Sequence, residues 1–282
     1  MKGLLSYTIN VGGKLMDLSD PQVMGILNVT PDSFYPESRK NTEAEIVDRV
    51  NTILAEGGSI IDIGAYSSRP GADNISVEEE MKRLCASLQI LRNIAPDAVV
   101  SVDTFRADVA KMCVEEYGVQ IINDISGGEL DPRMFETVAS LGVPYIIMHM
   151  KGNPQTMQLE PHYDDLLTEM LQYFGRKVQQ LHELGVKDVI IDPGFGFAKT
   201  LDHNYQLMNR LQDLQVLGLP MLVGVSRKSM IYKLLDNAPE DALNGTSVLN
   251  TLALLKGASI LRVHDVKEAV EVVQIVKKML TC

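Results

Sequence analysis

The sequence predicts an α/β fold, a (β/α)8 barrel preceded by a β-hairpin. Three observations predict it. Eight short β-branched apolar runs recur along the 282 residues, longer segments of helical period separate them, and the runs end in polar or adaptable residues. Eight strand–helix repeats over about 260 residues is the length and rhythm of a TIM barrel.

The elements follow in order. Tyr7 to Leu18, folded around Gly12-Gly13, reads as a hairpin ahead of the barrel. The first four strands are Val23 to Leu27, Ile60 to Ile63, Val99 to Val102 and Val119 to Ile122. The second four are Tyr145 to Met148, Val189 to Ile191, Met221 to Val225 and Ile260 to Val263. Each carries few charges, as a strand covered on both faces should. Helical spacing predicts helices over Thr42 to Glu56, Val77 to Ile94, Phe105 to Glu115 and Tyr163 to Leu184. Lys267 to Leu280 ends in lysines, which suit a helix C-terminus. With no Pro/Ser-rich linker, the simplest reading is one domain: hairpin over 1–20 and barrel over 21–282. The rival architecture, a doubly wound open sheet, lacks its usual fingerprint, because no GxGxxG follows the first strand. The stretch Gly194 to Thr200 has no glycine directly before Lys199, so it is not a P-loop.

Composition narrows the function. Hydrophobic residues make up 45% of the chain, enough for a sizeable core, and no apolar run approaches the roughly 20 residues of a membrane helix. The polar N-terminus is short for a secretory signal, so a cytoplasmic setting is expected. Cys85, Cys113 and Cys282 form no CxxC pair and read as free thiols. With 26 basic and 37 acidic residues, a broad nucleic-acid surface is not expected.

In such a barrel, chemistry sits at the C-terminal ends of the strands. Those positions here hold Asn28, Asp62, Asp103, Asn123-Asp124, Met148-His149, Asp192, Ser226-Arg227-Lys228-Ser229, and Arg262 with His264. Each has a structural alternative: Asp103 as a helix N-cap, Asp192 as a turn former, His149 and His264 as core histidines, Lys228 as a solvated lysine. Together they read as a site. Arg69, Lys228, Arg262 and His264 can form a cationic patch, helped by backbone N–H groups at the start of the helix after strand seven. Asp103, Asn123 and Asp192, expected on the opposite side, suit a flat heterocycle with paired N–H donors. A nitrogen-rich ring joined to phosphate is the substrate class this implies, with a sugar phosphate as the alternative.

The same strings resemble a known family. Gly25-Ile26-Leu27-Asn28-Val29-Thr30-Pro31-Asp32-Ser33-Phe34 looks like the first signature of the dihydropteroate synthases, and Ile61-Asp62-Ile63-Gly64 with Ser68-Arg69-Pro70-Gly71-Ala72 like the second. Ser101 to Thr104, Ile122 to Gly128, Met148 to Gly152, Asp192 to Phe197, Gly224 to Ser229 and Arg262 to Asp265 follow in family order. The resemblance implies condensation of a pterin pyrophosphate with p-aminobenzoate. It implies that Asp103, Asn123, Asp192 and Lys228 hold the pterin, with Met148 and Phe197 near its ring. Asn28, Arg69, Arg262 and His264 would surround the pyrophosphate, with Asn28 a Mg²⁺ ligand. Ser68, Arg69, Pro70, Phe195 and Ser229 would border the p-aminobenzoate site, and the protein would be a homodimer. Catalysis would rest on Arg69, Asp103, Asp192, Lys228, Arg262 and His264.

The chain departs from the family where Tyr35-Pro36-Glu37-Ser38-Arg39 replaces Ser-Asp-Gly-Gly, removing a loop aspartate, and where Tyr66 and Ser68 stand for Glu and Thr. A non-catalytic pterin-binding paralogue and a pterin-dependent methyltransferase barrel are the alternatives.

Overall fold

The computed structural model describes residues 7–29, 39–67, 74–152 and 161–282. Strands β1 (Thr8–Val11) and β2 (Lys14–Asp17) form an antiparallel hairpin. Its turn is Gly12-Gly13, both at positive φ, and Asn10 accepts a hydrogen bond from the Gly13 N–H at 2.8 Å.

Eight parallel strands follow: β3 (Gln22–Asn28), β4 (Ile60–Gly64), β5 (Val99–Asp103), β6 (Ile121–Asp124), β7 (Tyr145–Met148), β8 (Val189–Asp192), β9 (Leu222–Val223) and β10 (Ile260–Val263). They pair in the order β8-β7-β6-β5-β4-β3-β10-β9. A parallel bridge between Ile191 and Met221 joins the two ends, so the sheet closes into the predicted barrel.

Between the strands lie α1 (Arg39–Ala55), α2 (Val77–Ile94), α3 (Ala107–Tyr117), α4 (Met134–Leu141), α5 (Leu166–Glu183), α6 (Leu201–Asn209), α7 (Ser229–Leu235) and α8 (Leu243–Leu255). Helix α9 (Val266–Leu280) ends the chain. Local chemistry sets several boundaries. Ser76 caps α2 by accepting from Glu79 N, and Glu78, Glu79 and Glu80 fill its first turn. Asp165 caps α5 through Thr168 N, and Gly118 ends α3 in the left-handed region.

Several boundaries differ from expectation. The fourth strand starts at Ile121 rather than Val119, because Val119 still closes the turn after α3 by donating to Cys113 O. It and three others run on into polar residues: Asn28, Asp103, Asp124 and Asp192 all belong to ladders. The seventh strand shrinks from the expected five residues to Leu222-Val223. The third helix begins at Ala107 with Arg106 as N-cap, so Asp103 is not its cap.

The core lies in two places. One shell packs helices against the outer face of the barrel. The other fills the barrel's N-terminal end with Met24, Ile60, Ile121, Ile146, Ile190, Leu222 and Ile260, and the hairpin's Ile9 and Val11, with Leu18 just after it, cover that end. The hairpin thus plugs the bottom, and the C-terminal mouth is left for chemistry.

Candidate active site

Alternation along each strand carries the inward direction from the bottom layer to the mouth. Two residues beyond Ile60 comes Asp62; beyond Ile121, Asn123; beyond Ile190, Asp192; beyond Ile260, Arg262. Sequence positions up to 200 residues apart are brought together in this way.

Arg262 is the hub. Its Nε donates to Asp62 Oδ2 at 2.6 Å and its Nη2 to Asp103 Oδ2 at 2.9 Å. Asn123 Nδ2 donates to the same Asp62 oxygen at 3.2 Å. The acidic and basic groups expected on opposite sides therefore touch. The reason is electrostatic: Asp62 is fully buried, and a charge there needs a contacting counter-charge. Its other oxygen, Oδ1, finds no partner among the described residues.

The remaining groups close around this hub. Lys228 Nζ donates to Phe195 O and stands 4.6 Å over the Phe197 ring. A Cβ added at Gly224 would lie 3.8 Å from Arg262 Cβ and 4.0 Å from Lys228 Nζ, so the two cations flank that glycine. Asp192 Oδ1 accepts from Gly194 N at 2.8 Å, and Lys228 and Arg262 both favour its charged form. Gly194 has φ +68 and sits where any Cβ would fall 2.3 Å from His149 O, so glycine is required there. Met148, Ile125, Met150 and Ala198 form an apolar cluster beside Phe105 and Phe197.

The electrostatics are those of partly buried charges of both signs in the barrel mouth. Burial pushes the Asp103 carboxyl up to about 7, against the pull of Arg262. Burial also raises Asp192. It lowers Lys228 to about 8, opposed by Asp192. Asp103 and Lys228 are thus poised near neutrality.

Asn28 and His264 lie to one side, lining a cavity of about 420 Å³ with Glu45, Ile46 and Arg49 of α1. Arg49 bonds the carbonyls of Ile26 at 3.1 Å and His264 at 2.7 Å, tying α1 to β3 and the end of β10. Ser226 Oγ accepts from His264 N at 3.1 Å.

Two expected roles need correction. Burial and the neighbouring Arg262 lower His264 to about 4, so at neutral pH it is a neutral hydrogen-bonding group and not part of a cationic patch. Phe195 is fully buried, with its ring in the outer core shell, and among the described residues its contact with the site is its carbonyl, which accepts from Lys228 Nζ. Ser68, Arg69 and Pro70, like the altered stretch from Tyr35 to Ser38, lie outside the described residues. Ser229 opens α7 at the mouth. Its neighbour Arg227, at φ +52, grips Asp265 with two hydrogen bonds and so ties the loops after β9 and β10 together.

Sequence reasoning placed Asp62 at the mouth without a specific role and gave Lys199 and Arg49 none. Asp62 had a visible signal, a charge inside the apolar run Ile60 to Ile63. Tyr66 also gains an explanation: its ring meets Phe105 edge-on at 5.0 Å, and the Arg106 guanidinium covers both rings. Arg106 is held by fully buried Glu80 at 2.6 Å, which also accepts from Thr104, next to Asp103.

Comparison with known proteins agrees with this geometry. Residues 24–264 match the family model described as pterin binding enzyme. The chain is 42% identical over 273 residues to the dihydropteroate synthase of Escherichia coli (strain K12), covering 95% of each chain. It is 42% identical over 256 residues to that of Synechocystis sp., covering 90% of this chain and 88% of the other. Among solved structures, Yersinia pestis dihydropteroate synthase with a sulfonamide drug complex superposes with TM-score 0.88 at 39% identity, covering 98% of this chain and 100% of that one. The Thermus thermophilus enzyme in complex with 4-aminobenzoate superposes with TM-score 0.86 at 34% identity, covering 97% and 100%. The chain therefore belongs to the pterin-binding enzymes and, within them, to the dihydropteroate synthases, transferases of folate synthesis.

Proposed function

We propose that this chain condenses 6-hydroxymethyl-7,8-dihydropterin pyrophosphate with p-aminobenzoate, giving 7,8-dihydropteroate and pyrophosphate. The observation that carries the reading is the contact of Arg262 with Asp62 and Asp103, within the mouth that also holds Asp192 and Lys228. A carboxylate set for a nitrogen-rich ring thus adjoins cations for diphosphate.

Asp103 and Asp192 accept the ring's N–H groups, Asn123 supplies an amide, and Met148 and Phe197 pack against the heterocycle. Lys228 and Arg262 balance the carboxylates and draw on the leaving group, with Arg69, Asn28 and neutral His264 around the diphosphate. Ser68, Pro70 and Ser229 border the arylamine. The C–O bond to diphosphate breaks first, its electron pair leaving with pyrophosphate. The resulting positive charge spreads from the methylene into the pterin ring, beside Asp103 and Asp192. The arylamine lone pair forms the new C–N bond, and the nitrogen then loses a proton. No side-chain nucleophile is required.

Mg²⁺ fits this scheme at Asn28. That residue is exposed on the cavity shared with His264 and offers a hard amide oxygen. One or two protein oxygens plus substrate phosphate is the usual magnesium pattern, with water completing the shell. When bound, the ion would neutralise charge on the leaving diphosphate.

A homodimer completes the proposal. Val248, Leu252 and Leu255 form an exposed apolar stripe on one side of α8, close to exposed Leu234 and Leu235 of α7, and a second copy would bury them. The three free cysteines fit a reducing, cytoplasmic setting.

The test is incubation with both substrates, with and without Mg²⁺, following dihydropteroate and pyrophosphate. Stoichiometric release of both products, dependent on the arylamine, is expected. Tight pterin binding with no turnover would instead mark a non-catalytic paralogue.

A further inference from the structure

Lys199 is a buried amine that the proposed chemistry does not use. It is 3% exposed. Its Nζ meets four acceptors: Gly194 O at 3.0 Å, Phe197 O at 3.1 Å, His149 O at 3.3 Å and His149 Nδ1 at 3.1 Å. None is a carboxylate. Burying an ammonium without a contacting counter-ion is costly, and a core methionine of similar volume would avoid the cost.

What it holds explains its presence. Two of the acceptors lie in the segment between Asp192 and α6, and the other two belong to His149 after β7. The segment from Gly194 to Phe197 carries three contacts into the active site. Gly194 N binds Asp192, Phe195 O binds Lys228 Nζ, and the Phe197 ring lies under the same ammonium. The segment is also strained. Ala198 sits at φ +48, where L side chains rarely rest, and its carbonyl is held by Tyr163 OH at 2.8 Å. Asn204 Oδ1 accepts from Gly196 N at 2.7 Å and Phe197 N donates to Gly194 O at 3.1 Å; Lys199 ties the Gly194 and Phe197 carbonyls of this turn to His149.

We propose that Lys199 is a positioning residue: its buried amino group clamps the Gly194–Phe197 segment to His149 and so sets Asp192, Phe197 and Lys228 against the pterin. The inference rests on the pterin reading above. Three N–H donors serve the four acceptors, and the protonated form is the stronger clamp, since a neutral amine has only two. Burial lowers the amine to about 7, so the clamp weakens as pH rises through that value. The charged and titratable groups facing it are Asp192, which favours its charge, and Lys228, which opposes it, with His149 in direct contact. Lys151 and His203 share the same neighbourhood. His149 stays neutral, lowered to about 2 chiefly by burial, and because an ammonium can only donate, its contact with Nδ1 requires the tautomer protonated at Nε2.

The experiment compares the full chain with K199M. Affinity for the pterin pyrophosphate, without arylamine, is measured by titration calorimetry from pH 6 to pH 9, beside KM for p-aminobenzoate. At pH 6.5 K199M should bind the pterin at least about tenfold more weakly, while KM for p-aminobenzoate changes less than about threefold. The wild type should lose pterin affinity more steeply across pH 7 than K199M does. Folding stability should move the other way: the unfolded chain holds the lysine proton up to about 10.5, so this group makes the wild type more stable as pH rises above 7. If K199M does not fold, K199Q, neutral but still a donor, takes its place with the same expectations. Pterin affinity within twofold of wild type with an unchanged pH profile would overturn the proposal, and so would equal losses for both substrates. Failure of the wild type itself to bind the pterin would instead remove the functional reading.

Discussion

The two ends of the barrel are built by the same strands and differ by one inward step. At the bottom, Ile60, Ile121, Ile190 and Ile260 point inward and are fully buried. Two residues later the same strands present Asp62, Asn123, Asp192 and Arg262. The bottom is an apolar layer covered by the hairpin. The mouth is charged and carries a buried carboxylate oxygen without a partner among the described residues. Stability and chemistry are thus separated along one axis. The apolar layer fixes the strand positions, and the charges above it are held where burial makes them costly but effective.

Substitutions at the two ends should therefore differ in which property they change most. The largest effect on turnover is expected at Arg262. Arg262→Ala should lower turnover on the order of 10³-fold, about 4 kcal/mol of barrier, since it removes both a leaving-group cation and the partner of Asp62 and Asp103. Steady-state pyrophosphate release measures it, and near wild-type turnover would break the distinction. The mirror case is Ile146→Ala at the bottom. It should cost about 3 kcal/mol of folding stability in denaturant titration, with KM for both substrates unchanged.

A smaller effect is expected in pH dependence. In K199M, where the amine at 199 no longer titrates, kcat/KM for the pterin should rise through about 7 as Asp103 ionises and fall through about 8 as Lys228 deprotonates. Asp103→Asn should abolish the acid limb while lowering the maximum. The same carboxyl makes a stability contribution of fixed sign. Its folded value lies above the unfolded one, so the folded state holds the extra proton. That contribution is complete below about 4 and is lost as pH rises toward 7. The smallest effect should be Val248→Glu on α8. It should shift the sedimentation coefficient toward monomer and leave the fold intact.

Much of this was legible in the residues. Eight β-branched runs located eight strands because a strand covered on both faces must be apolar, and no other short element needs that. Val77 to Ile94 matched α2, where Ser76 caps the start through Glu79 N and Pro96 follows the end. The missed strand ends share one cause. Asn28, Asp103, Asp124 and Asp192 look like loop starts by polarity, yet their backbones still pair. Periodicity reports the environment of a side chain, and at a barrel mouth that environment turns polar before the ladder stops.

The chain by itself determined the architecture, the strand order along the sequence and the residue types at the mouth, because these follow from apolar period and from side-chain chemistry. Only the closed barrel decided which of those residues meet. That Arg262 bridges Asp62 and Asp103, that His264 is neutral and that the Phe195 ring faces the core all depend on distance and burial. Those two quantities arise when the ring of strands closes, and no linear spacing encodes them.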